Sequence, residues 1–208
     1  MLTALRSIAT AQANPTEETI AKAEQFLDYA ATHPDAIVTY RASDMVLGIH
    51  SDASYLSDTG ARSRAGGHFY MSNDTQFPPN NGAVHNVAQI INAVMLSAAE
   101  AELGALYINA REAVPMRVTL AEMGHQQPPT PIQTDNTTAI GIVTSNIQPK
   151  RTKAMDMHFH WLQCRAAHDK LMSTFHGCST RSNLALFYVG ICKIMYGCIA
   201  HCGQISQL

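Results

Sequence analysis

The chain has 208 residues, a formal net charge of −2 at pH 7 and ten histidines. This length predicts one compact domain with appendages and a core of ordinary size. The slightly negative charge excludes a strongly basic, free-standing nucleic-acid binder, so any nucleic-acid contact must use local patches or a partner domain. No basic, apolar leader opens the sequence, and we therefore expect an intracellular protein, cytoplasmic or nuclear, that is not secreted.

Residues 1–43 are predicted to precede the main domain and to contain one helix. Asn14 is a candidate N-cap, Pro15 suits the first helical position, and an apolar stripe follows at helical spacing. The helix should end at His33, because Pro34 disfavours helical geometry in the residue before it. Such a stripe is typical of a helix that packs on a core.

The next part of the chain alternates between strand and helix patterns. Three strands are predicted first, at residues 46–52, 66–72 and 84–95. A long helix follows, with Ser97 and Glu100 spaced as a capping box, and Pro115 should end or kink it. A short strand at 131–136 then leads into a second helix at 137–142. A hairpin followed by a helix-connected strand predicts an α/β protein with a mixed sheet.

Three acidic residues stand out within this pattern. Asp52 follows an apolar run, where a buried carboxylate without a partner costs several kcal/mol, roughly. Asp135 ends the short strand, and Glu102 lies beside the apolar stripe of the long helix, whereas Glu100 is explained by the cap. Two strand ends and one nearby helix would bring these carboxylates together on a divalent cation. Oxygen-only ligands favour Mg²⁺ or Mn²⁺ over zinc.

Four motifs, in this order, resemble the ribonuclease H domain that closes the polyprotein of copia-type long-terminal-repeat retrotransposons. The motifs are His50-Ser51-Asp52-Ala53-Ser54, Arg62 to Tyr70, Ser97 to Leu106, and Arg151 to His160. They resemble, respectively, the family's Asp-Ala-Asp/Ser strand, its Arg-Arg-Ser-Thr-Ser-Gly-Tyr strand, its Ser-Ser-Thr-Glu-Ala-Glu-Tyr-x-Ala-Leu helix and its Arg-Thr-Lys-His-Ile-Asp-x-x-x-His segment. The match runs from about Leu27 to about Lys170.

The resemblance implies a ribonuclease H-like mixed β-sheet flanked by helices over residues 44–170. Residues 1–43 then correspond to the last part of a polymerase thumb and connection segment. The implied activity is metal-dependent hydrolysis of the RNA strand of RNA–DNA hybrids during reverse transcription. Asp52, Glu102 and Asp135 would be the catalytic residues and the ligands of two Mg²⁺ (or Mn²⁺) ions.

The expected partners are an RNA–DNA hybrid and other segments of a retrotransposon polyprotein. Strand selection would use 2′-hydroxyl contacts across the wide minor groove of the hybrid. Asn136 and the basic run Lys150-Arg151-Lys153 are candidates for contacts with the nucleic-acid backbone. A solvated loop is the more common fate of such residues.

The C-terminal part departs from the family pattern. The family's fourth catalytic acid lies in a helix that follows a fifth strand, and nothing after Lys170 resembles either element, so both are predicted to be missing. Asp156 is not a counterpart of that acid. The alternative to a catalytic domain is therefore a non-catalytic retrotransposon remnant that at most binds nucleic acid or a partner.

Residues 171–208 are predicted to be an aberrant apolar tail, with four of the five cysteines and no acid. Cys198-x-x-His201-Cys202 could bind zinc, although the spacing matches no common zinc finger. Residues 184–200 are apolar at the short edge of a membrane span, but the central Lys193 argues against insertion. We therefore do not expect membrane association.

Overall fold

The computed structural model describes residues 2–35, 37–58, 60–75, 79–144, 156–167 and 171–175. The described residues divide into two compact units, one up to Ile37 and the other from Val38 onward. In the described part of the first unit, helix α1 (Leu2–Thr10) packs on helix α2 (Glu17–Thr32). Within the described residues, no helix combines the length and the apolar character needed to cross a membrane.

Helix α2 begins two residues later than the sequence predicts. Its N-cap is Thr16, whose hydroxyl accepts the Thr19 N–H, while the Thr19 hydroxyl accepts the Thr16 N–H. This reciprocal capping box satisfies two helix-end donors at once, which explains why Thr16 rather than Asn14 caps the helix. The predicted end at His33 is confirmed.

The second unit contains a five-stranded mixed sheet in the order β3-β2-β1-β4-β5. The strands are β1 (Val46–Asp58), β2 (Arg62–Ser72), β3 (Ala83–Ile90), β4 (Thr130–Thr134) and β5 (Leu171–Phe175), and the helices are α3 (Ala98–Glu122), α4 (Thr137–Val143) and α5 (Asp156–Ala167). Strands β1, β2 and β3 are antiparallel neighbours, whereas β4 is parallel to β1 and to β5. These directions confirm the predicted α/β class with a ribonuclease H-like mixed sheet.

Strand β5 corrects the prediction that the last strand is missing. It pairs with β4 in parallel from Thr130↔Leu171 to Thr134↔Phe175, so residues 171–175 belong to the sheet and not to the tail. Five residues are too few for a periodic signal, and the strand depends on the hydrogen-bonded ladder that β4 offers. The family's last helix would fall beyond Phe175, outside the described residues.

Strand β1 is longer than predicted, because it does not end at Asp52. Its antiparallel ladder with β2 continues past this residue, with the pairs Asp52↔Gly66 and Ser54↔Arg64. The part of β1 between Asp52 and Asp58 therefore depends on its pairing with β2.

Helix α3 continues through Pro115 to Glu122, so Pro115 does not end the helix, which was one of the two predicted outcomes. Proline leaves the carbonyl of Arg111 without its helical partner, but both residues are exposed, so water can bind this carbonyl. At the start of α3, the Ser97 hydroxyl accepts the Glu100 N–H at 3.2 Å, as predicted for a capping box. The Glu100 carboxylate instead accepts the N–H of Leu96 at 2.8 Å.

The core lies between α3 and the sheet. Its most deeply buried apolar side chains include Leu47, Ile49, Leu103, Leu106 and Ile132, each at most 2% exposed. Burying each such side chain contributes about 1.5–3 kcal/mol. These contacts pack α3 against β1 and β4, the two strands whose acids the sequence singles out.

Candidate metal centre

Parallel pairing of β1 with β4 places Asp52 and Asp135 at one level of the sheet. His50 of β1 pairs with Gln133 of β4, and each aspartate follows two residues later. Strand β4 ends at Thr134, so Asp52 lies where β1 loses its parallel neighbour. Both carboxylates therefore emerge at the same edge of the sheet.

Helix α3 brings the third carboxylate from above this edge. Glu102 lies near the start of α3, and its Oε1 accepts the Ala53 N–H at 3.1 Å. Oδ1 of Asp52 accepts the same N–H at 2.9 Å. One carboxylate oxygen of Asp52, one of Glu102 and one of Asp135 all lie within 4.8 Å of one another. The structure therefore brings the three predicted residues together, and we call them the carboxylate cluster.

The carboxylate cluster gathers like charge in a partly dry environment. Burial, followed by the charge of Asp135, raises the pKa of Asp52 from its ordinary 3.8 to about 6. Burial also raises the pKa of Glu102 from 4.5 to about 8, and the charges of Asp52 and Asp135 add to this effect. Asp135 itself is exposed to solvent. The negative charges therefore repel one another, and a cation between them would relieve that repulsion.

The donor atoms of the cluster fit a hard divalent cation. Oε2 of Glu102 is buried and accepts no hydrogen bond from the residues that the structure describes, so it is available as a ligand. All three ligands offer oxygen, the type that Mg²⁺ and Mn²⁺ prefer. With a metal–oxygen distance of about 2.1 Å, opposite ligands of Mg²⁺ lie about 4.2 Å apart. The separation of these oxygens, within 4.8 Å of one another, is therefore close to what ligands of such a cation require.

Other predicted site residues have different positions. The Asn136 side chain caps α4, because its Oδ1 accepts the Ala139 N–H at 3.0 Å, so its main role in the structure is local. Asp156 is the first residue of α5. In the described part of the chain, no fourth acid joins the carboxylate cluster. The basic run Lys150-Arg151-Lys153, the cysteine and histidine motif and the apolar segment of the tail lie outside the described residues.

Asn109, which is fully buried beside the cluster, was not predicted from the sequence. Its side chain donates to Ser51, the residue before Asp52. A signal for it exists: Asn109 follows Glu102 by seven residues and is therefore a polar residue on the apolar face of α3. Such a residue needs a hydrogen-bond partner, and the partner's identity depends on how the helix packs.

The strand order, the strand directions and the carboxylate cluster together define a ribonuclease H-like domain. Two neighbouring parallel strands and the helix that crosses them supply one acid each. This arrangement follows from the chain's own topology and geometry.

The sequence is similar to the retrovirus-related Pol polyprotein from transposon TNT 1-94 of Nicotiana tabacum. The two are 25% identical over 150 residues, which is 72% of this chain and 11% of the tobacco polyprotein. The chain therefore corresponds to about a tenth of the curated relative that it matches. No protein-family model matches the chain.

Solved ribonuclease H structures are similar in fold. LC11-RNase H1 from compost has a TM-score of 0.47 and 12% identity, covering 64% of this chain and 86% of its own. The same protein in complex with an RNA/DNA hybrid has a TM-score of 0.46 and 12% identity, and the match covers 65% of this chain and 88% of that protein. Prototype foamy virus protease-reverse transcriptase has a TM-score of 0.43 and 10% identity, and the match covers 79% of this chain and 21% of the viral chain. Because these TM-scores are below 0.5, the fold class rests on the strand order and directions described above.

Proposed function

We propose that this chain is the ribonuclease H domain of a copia-type retrotransposon, which hydrolyses the RNA strand of RNA–DNA hybrids during reverse transcription. The observation that supports this most is the convergence of Asp52, Glu102 and Asp135 at one edge of a ribonuclease H-like sheet. Residues 1–43 would be the remnant of the polymerase thumb and connection segment. The similarity to a transposon polyprotein agrees with this context.

The carboxylate cluster would hold two Mg²⁺ or Mn²⁺ ions, with Asp52 as the shared ligand and Glu102 and Asp135 holding one ion each. When bound, such ions lower the pKa of a water nucleophile and stabilise the leaving 3′ oxygen. The protein's contribution is to fix the carboxylate oxygens before the substrate arrives. The shared N–H of Ala53 does this for Asp52 and Glu102, since it binds one oxygen of each.

Exposure differs across the cluster in a way that suits a nucleic-acid substrate. Glu102 is 7% exposed and Asp52 is partly buried, whereas Asp135 is exposed. A phosphodiester would therefore approach from the Asp135 side, while α3 covers the opposite side. The hybrid as substrate comes from the family resemblance, and the RNA/DNA complex of LC11-RNase H1 agrees with it.

The test is cleavage of a labelled RNA strand in an RNA–DNA hybrid with Mg²⁺ or Mn²⁺. Asp52→Asn removes a metal-binding charge with little change in shape, and we expect cleavage to fall by at least about a thousandfold. Asp74→Asn is the matched control, because Asp74 is exposed and lies outside the cluster. Cleavage that survives in Asp52→Asn as well as in Asp74→Asn would contradict the proposal.

A second function is favoured by one observation, namely that three carboxylates and no fourth form the cluster within the described residues. The chain would then bind cations and a hybrid without hydrolysing it. The same samples separate the two functions. Folded protein that binds Mn²⁺ and the hybrid but releases no labelled fragment supports the non-catalytic remnant, whereas cleavage that depends on Asp52 excludes it.

A further inference from the structure

Asn109 links α3 to both strands of the first hairpin. Its Nδ2 donates to the Ser51 hydroxyl at 2.9 Å and to the Gly66 carbonyl at 2.8 Å, and the residue is 0% exposed. Ser51 directly precedes Asp52, and Gly66 is the antiparallel partner of Asp52. A single amide group therefore connects the helix to β1 and β2 at the level of the first metal-binding residue.

The hairpin leaves space for this amide at Gly67, the partner of Ser51. A Cβ atom at Gly67 would lie 2.1 Å from Oδ1 of Asn109, which is far inside van der Waals contact. That Oδ1 is buried and has no hydrogen-bond partner among the described residues, an arrangement that costs about 1–3 kcal/mol. An apolar side chain would pack here without this cost. The advantage of asparagine over an apolar residue at this position is therefore the two hydrogen bonds that it donates.

Asn109 and Glu102 hold β1 from two sides of Asp52. Seven residues of helix correspond to about 700°, so the two side chains lie within about 20° of one face and about 10.5 Å apart along the axis. Glu102 contacts Ala53, the residue after Asp52, and Asn109 contacts Ser51, the residue before it. Because Oε1 of Glu102 binds Ala53, Oε2 is left for a cation.

We propose that Asn109 is a positioning residue that sets the separation of Asp52 and Glu102. This inference rests on the proposed metal-binding function of the carboxylate cluster. The apolar contacts of α3 are not directional, so they allow the helix to slide or turn slightly against the sheet. The amide of Asn109 prevents this at the point where a small shift would separate the two metal-binding oxygens. Loss of a hydrogen bond to a metal ligand typically weakens metal binding about 10- to 100-fold, and we expect an effect of this order for Asn109, which acts through the residues beside Asp52.

The first experiment compares two variants of the full chain. Asn109→Leu removes both donors and keeps a side chain of similar size, whereas Leu120→Ala creates a cavity at the far end of the same helix. We expect Asn109→Leu to weaken Mn²⁺ binding about 10- to 100-fold and to lower kcat for hybrid cleavage without changing KM for the hybrid. Leu120→Ala should lower stability and leave Mn²⁺ affinity and kcat unchanged. Equal Mn²⁺ affinity in Asn109→Leu and the original chain would overturn the inference.

The second measurement does not depend on a metal. The Ala53 N–H bridges Asp52 and Glu102, so its hydrogen exchange in EDTA reports their positions directly. Asn109→Leu should speed this exchange at least tenfold beyond the change in global stability, and Leu120→Ala should not. Ser51→Ala, which loses one of the two hydrogen bonds, should give a smaller acceleration and covers the case in which Asn109→Leu fails to fold.

These two measurements separate the possible failures. If the original chain binds no Mn²⁺, the proposed function fails, while the exchange at Ala53 still decides whether Asn109 positions the cluster. If the chain binds Mn²⁺ but the exchange at Ala53 is the same in Asn109→Leu, Ser51→Ala and the original chain, the positioning role is wrong and the proposed function stands.

Discussion

The two ends of the β1–β4 strand pair carry polar clusters that differ in how fully their atoms are hydrogen-bonded. At one end lies the carboxylate cluster. At the other end lies the Arg117 cluster, formed by Arg117, Gln127 and Thr130. Helix α3 contributes to both, with Glu102 near its start and Arg117 near its end.

In the Arg117 cluster, donors and acceptors match. The guanidinium of Arg117 donates to the Thr130 hydroxyl and to the carbonyls of Pro128 and Gln127. The Gln127 side chain accepts the Leu47 N–H at 3.0 Å and donates at 2.9 Å to the carbonyl of the residue before β1, Met45. These bonds join α3, the start of β1 and the start of β4.

The carboxylate cluster contains an acceptor without a matching donor. Oδ1 of Asp52 and Oε1 of Glu102 share the Ala53 N–H, and Oε2 of Glu102 has no donor among the described residues. A satisfied polar cluster stabilises a fold, whereas buried like charges destabilise it unless a ligand supplies the missing charge. The difference indicates that one end of the strand pair is structural and the other is built for a cation.

The largest effect that tests this comparison is expected at Arg117. Arg117→Met keeps most of the apolar stem and removes the hydrogen bonds to Pro128, Gln127 and Thr130. Hydrogen bonds to charged groups are individually strong, so we expect the free energy of unfolding to fall by about 3 kcal/mol. Denaturant unfolding measures this change.

Arg111→Met is the control, because Arg111 lies on the same helix with a side chain that is 54% exposed and pairs only locally with Glu112. It should cost less than about 0.5 kcal/mol. Mn²⁺ affinity under native conditions should be unchanged in Arg117→Met. Equally small losses of unfolding free energy in Arg117→Met and Arg111→Met would contradict a structural role for the Arg117 cluster. A loss of Mn²⁺ affinity in Arg117→Met would contradict the separation of roles between the two ends of the strand pair.

The next effect concerns pH in the absence of metal. The folded-state pKa values of Asp52, about 6, and Glu102, about 8, lie above the ordinary values of 3.8 and 4.5. The fold therefore favours the protonated acids, and their contribution to stability is complete below pH 4 and is lost as the pH rises through 6 and then 8. We expect the wild-type chain in EDTA to lose unfolding free energy steadily between pH 5 and pH 8 from this source.

Glu102→Gln isolates that contribution, because glutamine stays neutral at every pH. The difference in unfolding free energy between Glu102→Gln and the original chain should grow in favour of the variant as the pH rises from about 4.5 to about 8, and it should then stay constant. Titrating groups outside the carboxylate cluster affect both proteins equally and cancel in this difference. Parallel pH profiles for the two proteins would show that Glu102 does not ionise at a cost in the folded state.

The parts of the site that could be predicted from sequence depend on local patterns. The apolar run before Asp52, the cap at Ser97 and the short strand before Asp135 are each visible within about ten residues. The family resemblance added their order, and the structure brings Asp52, Glu102 and Asp135 together. Helix bounds follow from capping groups, although the prediction of Asn14 as the N-cap of α2 is wrong, because Thr16 caps this helix.

The parts that could not be predicted depend on contacts between distant segments. Strand β5 exists through its pairing with β4, and the extension of β1 to Asp58 exists through its pairing with β2. The contacts of Asn109 with Ser51 and of Gln127 with Leu47 join residues far apart in the sequence. Composition and periodicity carry no information on such partners, since many polar residues satisfy the same local pattern.

The smallest effect is the recovery of stability when a cation binds. At a Mg²⁺ concentration ten times its dissociation constant, binding to the folded state alone adds about 1.4 kcal/mol to the unfolding free energy. The gain should be larger at pH 8 than at pH 5, because Mg²⁺ competes with protons for Asp52 and Glu102. Thermal unfolding in Mg²⁺ and in KCl of equal ionic strength separates binding from screening.

Glu102→Gln should lose most of this gain, because the variant lacks one ligand charge. Arg117→Met should keep it, since its missing hydrogen bonds lie at the other end of the strand pair. The two variants should therefore behave oppositely. Glu102→Gln should be stabilised without metal and respond little to Mg²⁺, whereas Arg117→Met should be destabilised and respond fully. An equal gain in stability in KCl, or a gain that survives in Glu102→Gln, would mean that the carboxylate cluster binds no specific cation. The carboxylate cluster and the Arg117 cluster would then differ only in how well their polar atoms are hydrogen-bonded.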